Sequence, residues 1–155
     1  MAATAVGKKA PDFDLATDGG GRVRLADFHG RKVVVYFYPA DDTPGCTTEA
    51  IDFSKAEAAF AKAGAAIVGI SPQSEASHDK FTAKHKLAIT LAADPDRKAI
   101  EAYGVWREKK MFGRKYKGVE RATFLIGTDG VIAREWRNVR VRGHVEAVLE
   151  AVAKL

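Results

Sequence analysis

The sequence of 155 residues contains a single cysteine, Cys46. A disulfide within the chain is therefore excluded, and so is a zinc site built from several cysteines. The four histidines, His29, His78, His85 and His144, include no pair at the i, i+4 spacing that is typical of metal ligands. We expect each of them to be a surface or capping residue, and we predict neither a metal site nor a cofactor. Any redox chemistry must then use one thiol.

Long apolar runs are also absent. No run approaches the roughly 18 residues that are needed to cross a bilayer, and the segment 1–9 lacks the apolar core of a secretory signal. We therefore expect a cytoplasmic protein without a membrane partner. The composition, 46% hydrophobic and 29% charged residues, is that of an ordinary globular protein. At this length we predict one domain over residues 1–155.

Positive charge exceeds negative charge, with 25 Lys and Arg against 20 Asp and Glu. The excess is concentrated in two stretches, whose basic residues are Arg107, Lys109, Lys110, Arg114, Lys115 and Lys117, and Arg134, Arg137, Arg140 and Arg142. Such clusters are compatible with nucleic-acid binding. Because no nucleic-acid motif accompanies them, we predict a solvated face that tolerates acidic partners and no nucleic-acid partner.

Alternating and continuous apolar patterns predict the strands. Two short runs around the turn Asp18-Gly19-Gly20-Gly21 indicate a hairpin, and another hairpin surrounds Thr128-Asp129-Gly130. Two continuous apolar runs, 33–38 and 66–70, are typical of strands buried on both faces. The predicted strands are 12–16, 22–25, 33–38, 66–70, 87–92, 121–126 and 131–136.

Helices are predicted between these strands. The segments are 43–63, which ends at Gly64, 74–86 with Ser74 as N-cap, Asp94-Pro95 to Tyr103, and 143–155. This order of elements predicts a mixed central sheet with helices on both faces. We therefore predict an α/β fold of the thioredoxin-like three-layer sandwich type, with an N-terminal β-hairpin, although periodicity alone leaves other three-layer sandwiches open.

The chemistry is concentrated where the first buried strand ends. Ligands of open α/β sheets lie beyond the carboxyl ends of the strands. Thr43 is a suitable N-cap and Pro44 a suitable first helical residue, so Cys46 falls in the first helical turn, where the helix dipole stabilises a thiolate. A lone cysteine is also found as a small buried apolar residue. The preceding Thr-Pro-Gly turn favours the reactive thiol.

The run 37–47, Phe-Tyr-Pro-Ala-Asp-Asp-Thr-Pro-Gly-Cys-Thr, resembles the active-site signature of the peroxiredoxins. It is most similar to their bacterioferritin comigratory protein (PrxQ) branch. Other blocks that resemble the family occur in the same order along the chain, at 8–13, 77–81, 103–111 and 120–126. The resemblance therefore covers nearly the whole chain.

The resemblance implies a thiol-dependent peroxidase whose substrate is hydrogen peroxide or an organic hydroperoxide. It implies that Cys46 is the peroxidatic cysteine, that Thr43 and Arg121 orient the peroxide, and that Pro39 shields the sulfur. A guanidinium beside the sulfur favours the thiolate and stabilises the charge that develops as the O–O bond breaks.

The chain departs from the family at the resolving cysteine, because Ile51 and Thr82 stand where many members have it. The sulfenic acid formed on Cys46 would then be reduced by an external thiol, from thioredoxin, glutaredoxin or glutathione. The branch implies a monomer or weak dimer. Two alternatives stay open: a binding module that keeps the fold without turnover, and a thioredoxin-type oxidoreductase, which Cys46-Thr47-Thr48-Glu49 disfavours because Cys-x-x-Cys is absent.

Overall fold

A seven-stranded mixed sheet forms the centre of residues 6–155, the part of the chain that the computed structural model describes. The prediction for the segment 1–9 lies mostly outside this range. The strands are β1 Asp14–Thr17, β2 Arg22–Arg24, β3 Lys32–Phe37, β4 Ala65–Ser71, β5 Thr90–Ala93, β6 Trp106–Met111, β7 Arg114–Val119, β8 Ala122–Ile126 and β9 Ile132–Trp136. The strand order in the central sheet is β2-β1-β5-β4-β3-β8-β9. The helices are α1 Pro44–Lys62, α2 Glu75–His85, α3 Lys98–Ala102 and α4 His144–Lys154.

Strands β3 and β4 are the buried centre of the sheet. They run parallel and are joined by α1, as the pattern of two apolar runs around a helix predicts. Tyr36 lies opposite Gly69, where an added Cβ would come within 2.7 Å of the tyrosine ring. The aromatic ring therefore occupies the space that only a glycine leaves free, which explains the one glycine in this strand.

The side chains of β3 alternate between two apolar layers, one on each face of the sheet. Val33, Val35 and Phe37 belong to one layer. Val34 and Tyr36 belong to the other layer, to which α1 and α4 contribute their apolar faces. The predicted three-layer α/β sandwich is confirmed, and so are the hairpins β1–β2 and β8–β9. No helix between residues 6 and 155 combines the length and apolar character that a bilayer crossing requires.

Two elements differ from the sequence-based prediction. The helix expected to open at Asp94-Pro95 begins only at Lys98, because Arg97 adopts a left-handed conformation with φ of 58°. The Asp94 carboxylate instead accepts hydrogen bonds from the N–H groups of Lys98 and Ile100, at 2.9 and 2.8 Å. The hairpin β6–β7, which forms a separate two-stranded sheet, was not predicted because its strands carry charged rather than alternating apolar residues.

Candidate active site

Cys46 lies in the first turn of α1, just beyond the carboxyl end of β3. Its side chain is buried, with 1% of the residue surface exposed. Thr43 is the N-cap residue as predicted, but its hydroxyl donates to Ala40 O at 2.9 Å and does not cap the helix. No acceptor in the described part of the chain engages the N–H groups of Gly45 and Cys46. Two donors at the positive end of the helix are thus left available beside the sulfur.

Arg121 reaches this sulfur from the strand next to β3. It directly precedes β8, which pairs antiparallel with β3. Its Nη2 lies 3.3 Å from Cys46 Sγ, and its Nη1 donates to Glu49 Oε1 at 2.6 Å. A Cβ added to Gly45 would lie 3.1 Å from Nη2, so the glycine permits the guanidinium to approach the start of the helix. A permanent positive charge at this distance stabilises a thiolate.

Glu49 is the buried carboxylate of the site. It lies three residues after Cys46 and so on the same side of α1, and its side chain is fully buried. Burial raises its pKa to about 7, although the charge of Arg121 acts in the opposite direction. Its second oxygen, Oε2, has no hydrogen-bond partner among the residues described. The i, i+3 spacing from Cys46 is the sequence signal that would have identified this residue.

A buried hydrogen-bond network anchors the loop between β3 and α1. Asp41 Oδ1 accepts from the hydroxyl of Tyr38 at 2.7 Å, and Oδ2 accepts from Ser77 Oγ at 2.7 Å. His78 Nδ1 lies 2.7 Å from the same Oδ2, and its Nε2 lies 3.1 Å from Ala92 O. Burial alone would raise the pKa of Asp41, but the hydrogen bonds, above all that from His78, hold this pKa below its usual value.

Two histidines therefore depart from the prediction that each is a surface or capping residue. His78 is fully buried, and His144 is 6% exposed. His144 Nε2 shares a 2.7 Å hydrogen bond with Thr123 Oγ1, and its ring lies edge-on to Trp136. Burial, together with the charge of Arg121, lowers the pKa of His144 to about 4. The partners that their side chains bond lie 14 or more residues away in the sequence, so no local pattern indicated these contacts.

The remaining predicted site residues, Pro39 and Thr43, lie in the loop between β3 and α1. Pro39 is half-buried, and Thr43 is exposed at the N-cap. A cleft of about 640 Å³ that Arg121 lines opens to solvent. Its lining includes Arg107, Lys109 and Asn138. The geometry thus places one buried thiol between free backbone donors and a guanidinium, an arrangement suited to binding and cleaving a small polar molecule with an electrophilic oxygen.

The chain is similar over nearly its whole length to proteins of one family. Residues 6–135 match the AhpC/TSA family. The chain is 48% identical over 147 residues to peroxiredoxin Bcp of Bacillus subtilis, which covers 95% of this chain and 94% of that protein. It is 49% identical over 144 residues to a putative peroxiredoxin Bcp of Coxiella burnetii, covering 93% and 95% of the two chains.

Solved structures agree with this similarity. Peroxiredoxin Q of Xanthomonas campestris superposes with a TM-score of 0.90 at 42% identity and covers 96% of this chain and 97% of that one. A mutant of PrxQ from Xylella fastidiosa gives a TM-score of 0.93 at 35% identity, covering 97% and 96%. The bacterioferritin comigratory protein of Xanthomonas campestris superposes with a TM-score of 0.90 at 41% identity and covers 97% of this chain and 98% of that one. That protein was studied for alkyl peroxide reduction.

Proposed function

The chain belongs to the AhpC/TSA family and is a peroxiredoxin, a thiol-dependent hydroperoxide reductase with one cysteine, and on this premise we propose that Cys46 is the residue that attacks the peroxide. The observation that carries the proposal is the 3.3 Å contact between Cys46 Sγ and Arg121 Nη2. A buried sulfur without this neighbour would be an inert apolar residue.

In the proposed reaction, the Cys46 thiolate attacks the terminal oxygen of a hydroperoxide ROOH. The S–O bond forms as the O–O bond breaks, the OH group stays on the sulfur as a sulfenic acid, and the departing RO⁻ becomes the alcohol ROH with the proton that the thiol released. Negative charge moves from sulfur to the departing oxygen. Arg121 and the free N–H groups at the start of α1 are positioned to stabilise that charge.

Thr43 and Pro39 complete the proposed site. Because the Thr43 hydroxyl donates to Ala40 O, its oxygen keeps lone pairs that can accept the O–H of the peroxide and so orient it. Pro39, half-buried in the loop before α1, would keep water from the sulfur. The substrates we propose are hydrogen peroxide and organic hydroperoxides, the latter supported by the study of alkyl peroxide reduction by the Xanthomonas relative.

Regeneration of Cys46 is proposed to use thiols from outside the chain. Neither Ile51 nor Thr82 contains a sulfur atom that could form a disulfide with Cys46. Ile51 packs on the apolar layer, and the Thr82 hydroxyl donates to Asp18 Oδ2 at 2.8 Å. A thiol R′SH would attack the sulfenic acid and give a mixed disulfide and water. A second thiol would release Cys46 as a thiol and form a disulfide of the two reductants. Thioredoxin, glutaredoxin and glutathione are the proposed sources.

The test of the proposed function is peroxide consumption with each thiol offered separately, in wild type and in Cys46→Ser. We expect turnover only in the wild type, with the variant equally folded by circular dichroism. Intact-protein mass spectrometry should detect one added oxygen on Cys46 after peroxide, and its removal by the thiol that supports turnover. Turnover in Cys46→Ser, or no turnover of the wild type with any thiol, would reject this mechanism and favour the binding module.

A further inference from the structure

The net positive charge of this protein is located in one structural element. The basic hairpin, residues 106–119, contains the strands β6 and β7 and the turn between them. It has six basic residues, Arg107, Lys109, Lys110, Arg114, Lys115 and Lys117, against the single acid Glu108, a net charge of +5. The whole chain also carries +5, so the other residues are balanced at 19 basic and 19 acidic. The charge asymmetry is therefore local.

The tip of the basic hairpin presents apolar side chains to solvent. Phe112 and Gly113 form a two-residue turn with positive φ at both positions, 52° and 75°. Phe112 is 97% exposed and Met111 is 55% exposed. Strands of six residues make the ribbon about 20 Å long. An exposed aromatic residue amid basic side chains has the composition of an interaction surface.

One face of the basic hairpin is continuous with the cleft that Arg121 lines. The strand register places on this face Arg107, Lys109 and Met111 of β6 and Arg114, Tyr116 and Gly118 of β7. No acidic residue belongs to it. Arg107, Lys109 and Arg121 line the cleft against two acidic residues, Glu108 and Glu120, so basic side chains are in excess there, and the Arg121 guanidinium contacts the sulfur. Positive charge thus extends from the exposed tip to the reactive thiol.

Some of these basic side chains form no ion pair in the part of the chain that the structure describes. Arg107 pairs with Glu120 at 3.1 Å, but neither Lys109 nor Arg114 forms an ion pair within residues 6–155. The stem of Lys109 lies over Gly118, which holds the ammonium group near the cleft. On the opposite face, Lys110 and Lys115 are direct cross-strand partners, an arrangement of like charges that weakens a ribbon. A negatively charged partner would relieve this repulsion.

We propose that the basic hairpin is the docking surface for an acidic protein that carries the thiol reducing Cys46. This inference rests on the proposed function, because the chain has one cysteine and its sulfenic acid then needs a reductant from outside. Complementary charge steers the encounter and sets its orientation. Phe112 supplies the apolar anchor at the far end of the contact.

The extent of the surface favours a protein over other anionic partners. A tripeptide thiol would fill the cleft but would not reach the tip, about 20 Å along the ribbon. A membrane surface that received Phe112 would contact the tip and leave Cys46 at the other end of the hairpin. Only a partner that lies along the ribbon uses the tip, the basic face and the cleft together.

The test uses the full chain and the double variant Arg114→Glu/Lys115→Glu, together with Phe112→Ser. The matched control is Lys55→Glu/Lys62→Glu, which changes the net charge equally at exposed positions of α1. Cys46 is oxidised with one equivalent of hydrogen peroxide, and its reduction rate is measured with a thioredoxin of negative net charge and with dithiothreitol. We expect the thioredoxin rate to fall roughly ten-fold or more in the charge-reversed hairpin, since steering contributes factors of that size. Phe112→Ser should also lower it.

The dithiothreitol rate and the rate of Cys46 oxidation by peroxide should stay unchanged in all variants, and the thioredoxin rate should stay unchanged in the α1 control. The wild-type thioredoxin rate should also decrease with added salt more steeply than that of the charge-reversed hairpin. Equal loss in hairpin and control variants, or no loss in either, overturns the docking surface. So does hairpin-dependent binding to anionic phosphatidylglycerol vesicles with no change in thioredoxin reduction. Absence of the sulfenic acid in wild type would instead reject the proposed function.

Discussion

At the residue scale, Glu49 controls the charge balance around Cys46. Its carboxylate contacts Arg121 at 2.6 Å, and Arg121 in turn contacts the sulfur. Burial raises the pKa of Glu49 from 4.5 to about 7. Between pH 4.5 and pH 7, the folded protein therefore keeps a proton on Glu49 that the unfolded chain has released. The stability that this proton contributes is complete below about pH 4.5 and is lost as the pH rises through 7.

We expect Glu49→Gln to remove this dependence, because the amide keeps an acceptor for Arg121 and cannot ionise. Relative to wild type, the free energy of unfolding of the variant should increase between pH 5 and pH 8 by up to about 3 kcal/mol. Urea unfolding at both pH values measures it. The same substitution at exposed Glu146 is the matched control. A Glu49→Gln curve parallel to that of wild type would contradict the raised pKa.

The site residues differ in how far the sequence could predict them. Cys46 and Thr43 follow from the turn and helix start, which are local features. Arg121 was identified only through the resemblance, because among 25 basic residues nothing local distinguishes it. Asp41 and His78 are 37 residues apart in the sequence and form their contact only because α2 packs beside the loop between β3 and α1. Contacts of this kind depend on tertiary packing, which residue spacing does not encode.

At the element scale, the contact between Asp41 and His78 ties the loop before α1 to helix α2. Both side chains are almost fully buried, at 4% and 0% exposure. Removing one partner leaves the other buried without its main hydrogen bond, which typically costs about 1–3 kcal/mol and more when the remaining group is charged. The loop carries Pro39 and Thr43, so its position determines the geometry around the sulfur.

We predict that Asp41→Asn and His78→Gln each destabilise the protein by about 2–4 kcal/mol, and that the double variant loses less than the sum of the two. Urea unfolding gives the three values, and hydrogen exchange should be faster across residues 38–43. Asp42→Asn is the control, because Asp42 pairs with Lys84 and His85 at an exposed position and should matter little. Strictly additive losses would show that the two residues act independently.

The elements themselves were predictable to different degrees. Buried strands and the hairpins with glycine-rich turns follow from apolar runs and turn chemistry. The helix α3 begins later than predicted because Arg97 is left-handed and the capping carboxylate, Asp94, lies three residues before this N-cap position. The basic hairpin has Phe112-Gly113 at its turn, but its strands lack the apolar alternation of a half-buried sheet because both of its faces are largely solvated.

At the scale of the whole molecule, two buried groups near Arg121 titrate in opposite senses. The pKa of His144 is lowered by burial from 6.5 to about 4. Neutral His144 therefore contributes stability that is complete above about pH 6.5 and is lost as the pH falls through 4. The contribution of Glu49 to the stability of the protein increases over much of the same interval as the pH falls. The two contributions largely cancel, so we expect the wild type to have a nearly flat stability between pH 5 and pH 6.5.

Removing one of the two groups should expose the other. His144→Gln keeps a partner for Thr123 and cannot take up a proton, so its stability should increase as the pH falls from 6.5 to 5, because only Glu49 still titrates there. Glu49→Gln should instead lose stability over the same interval, because the unfolded chain binds a proton at His144 there while the folded protein keeps this histidine neutral. Urea unfolding at pH 5, 5.5, 6 and 6.5 compares the three proteins. If the unfolding free energy changed with pH in the same direction in both variants, the opposed titrations would be contradicted. Opposite changes in the two variants, with a nearly constant value in the wild type, require that the two buried groups beside Arg121 offset each other.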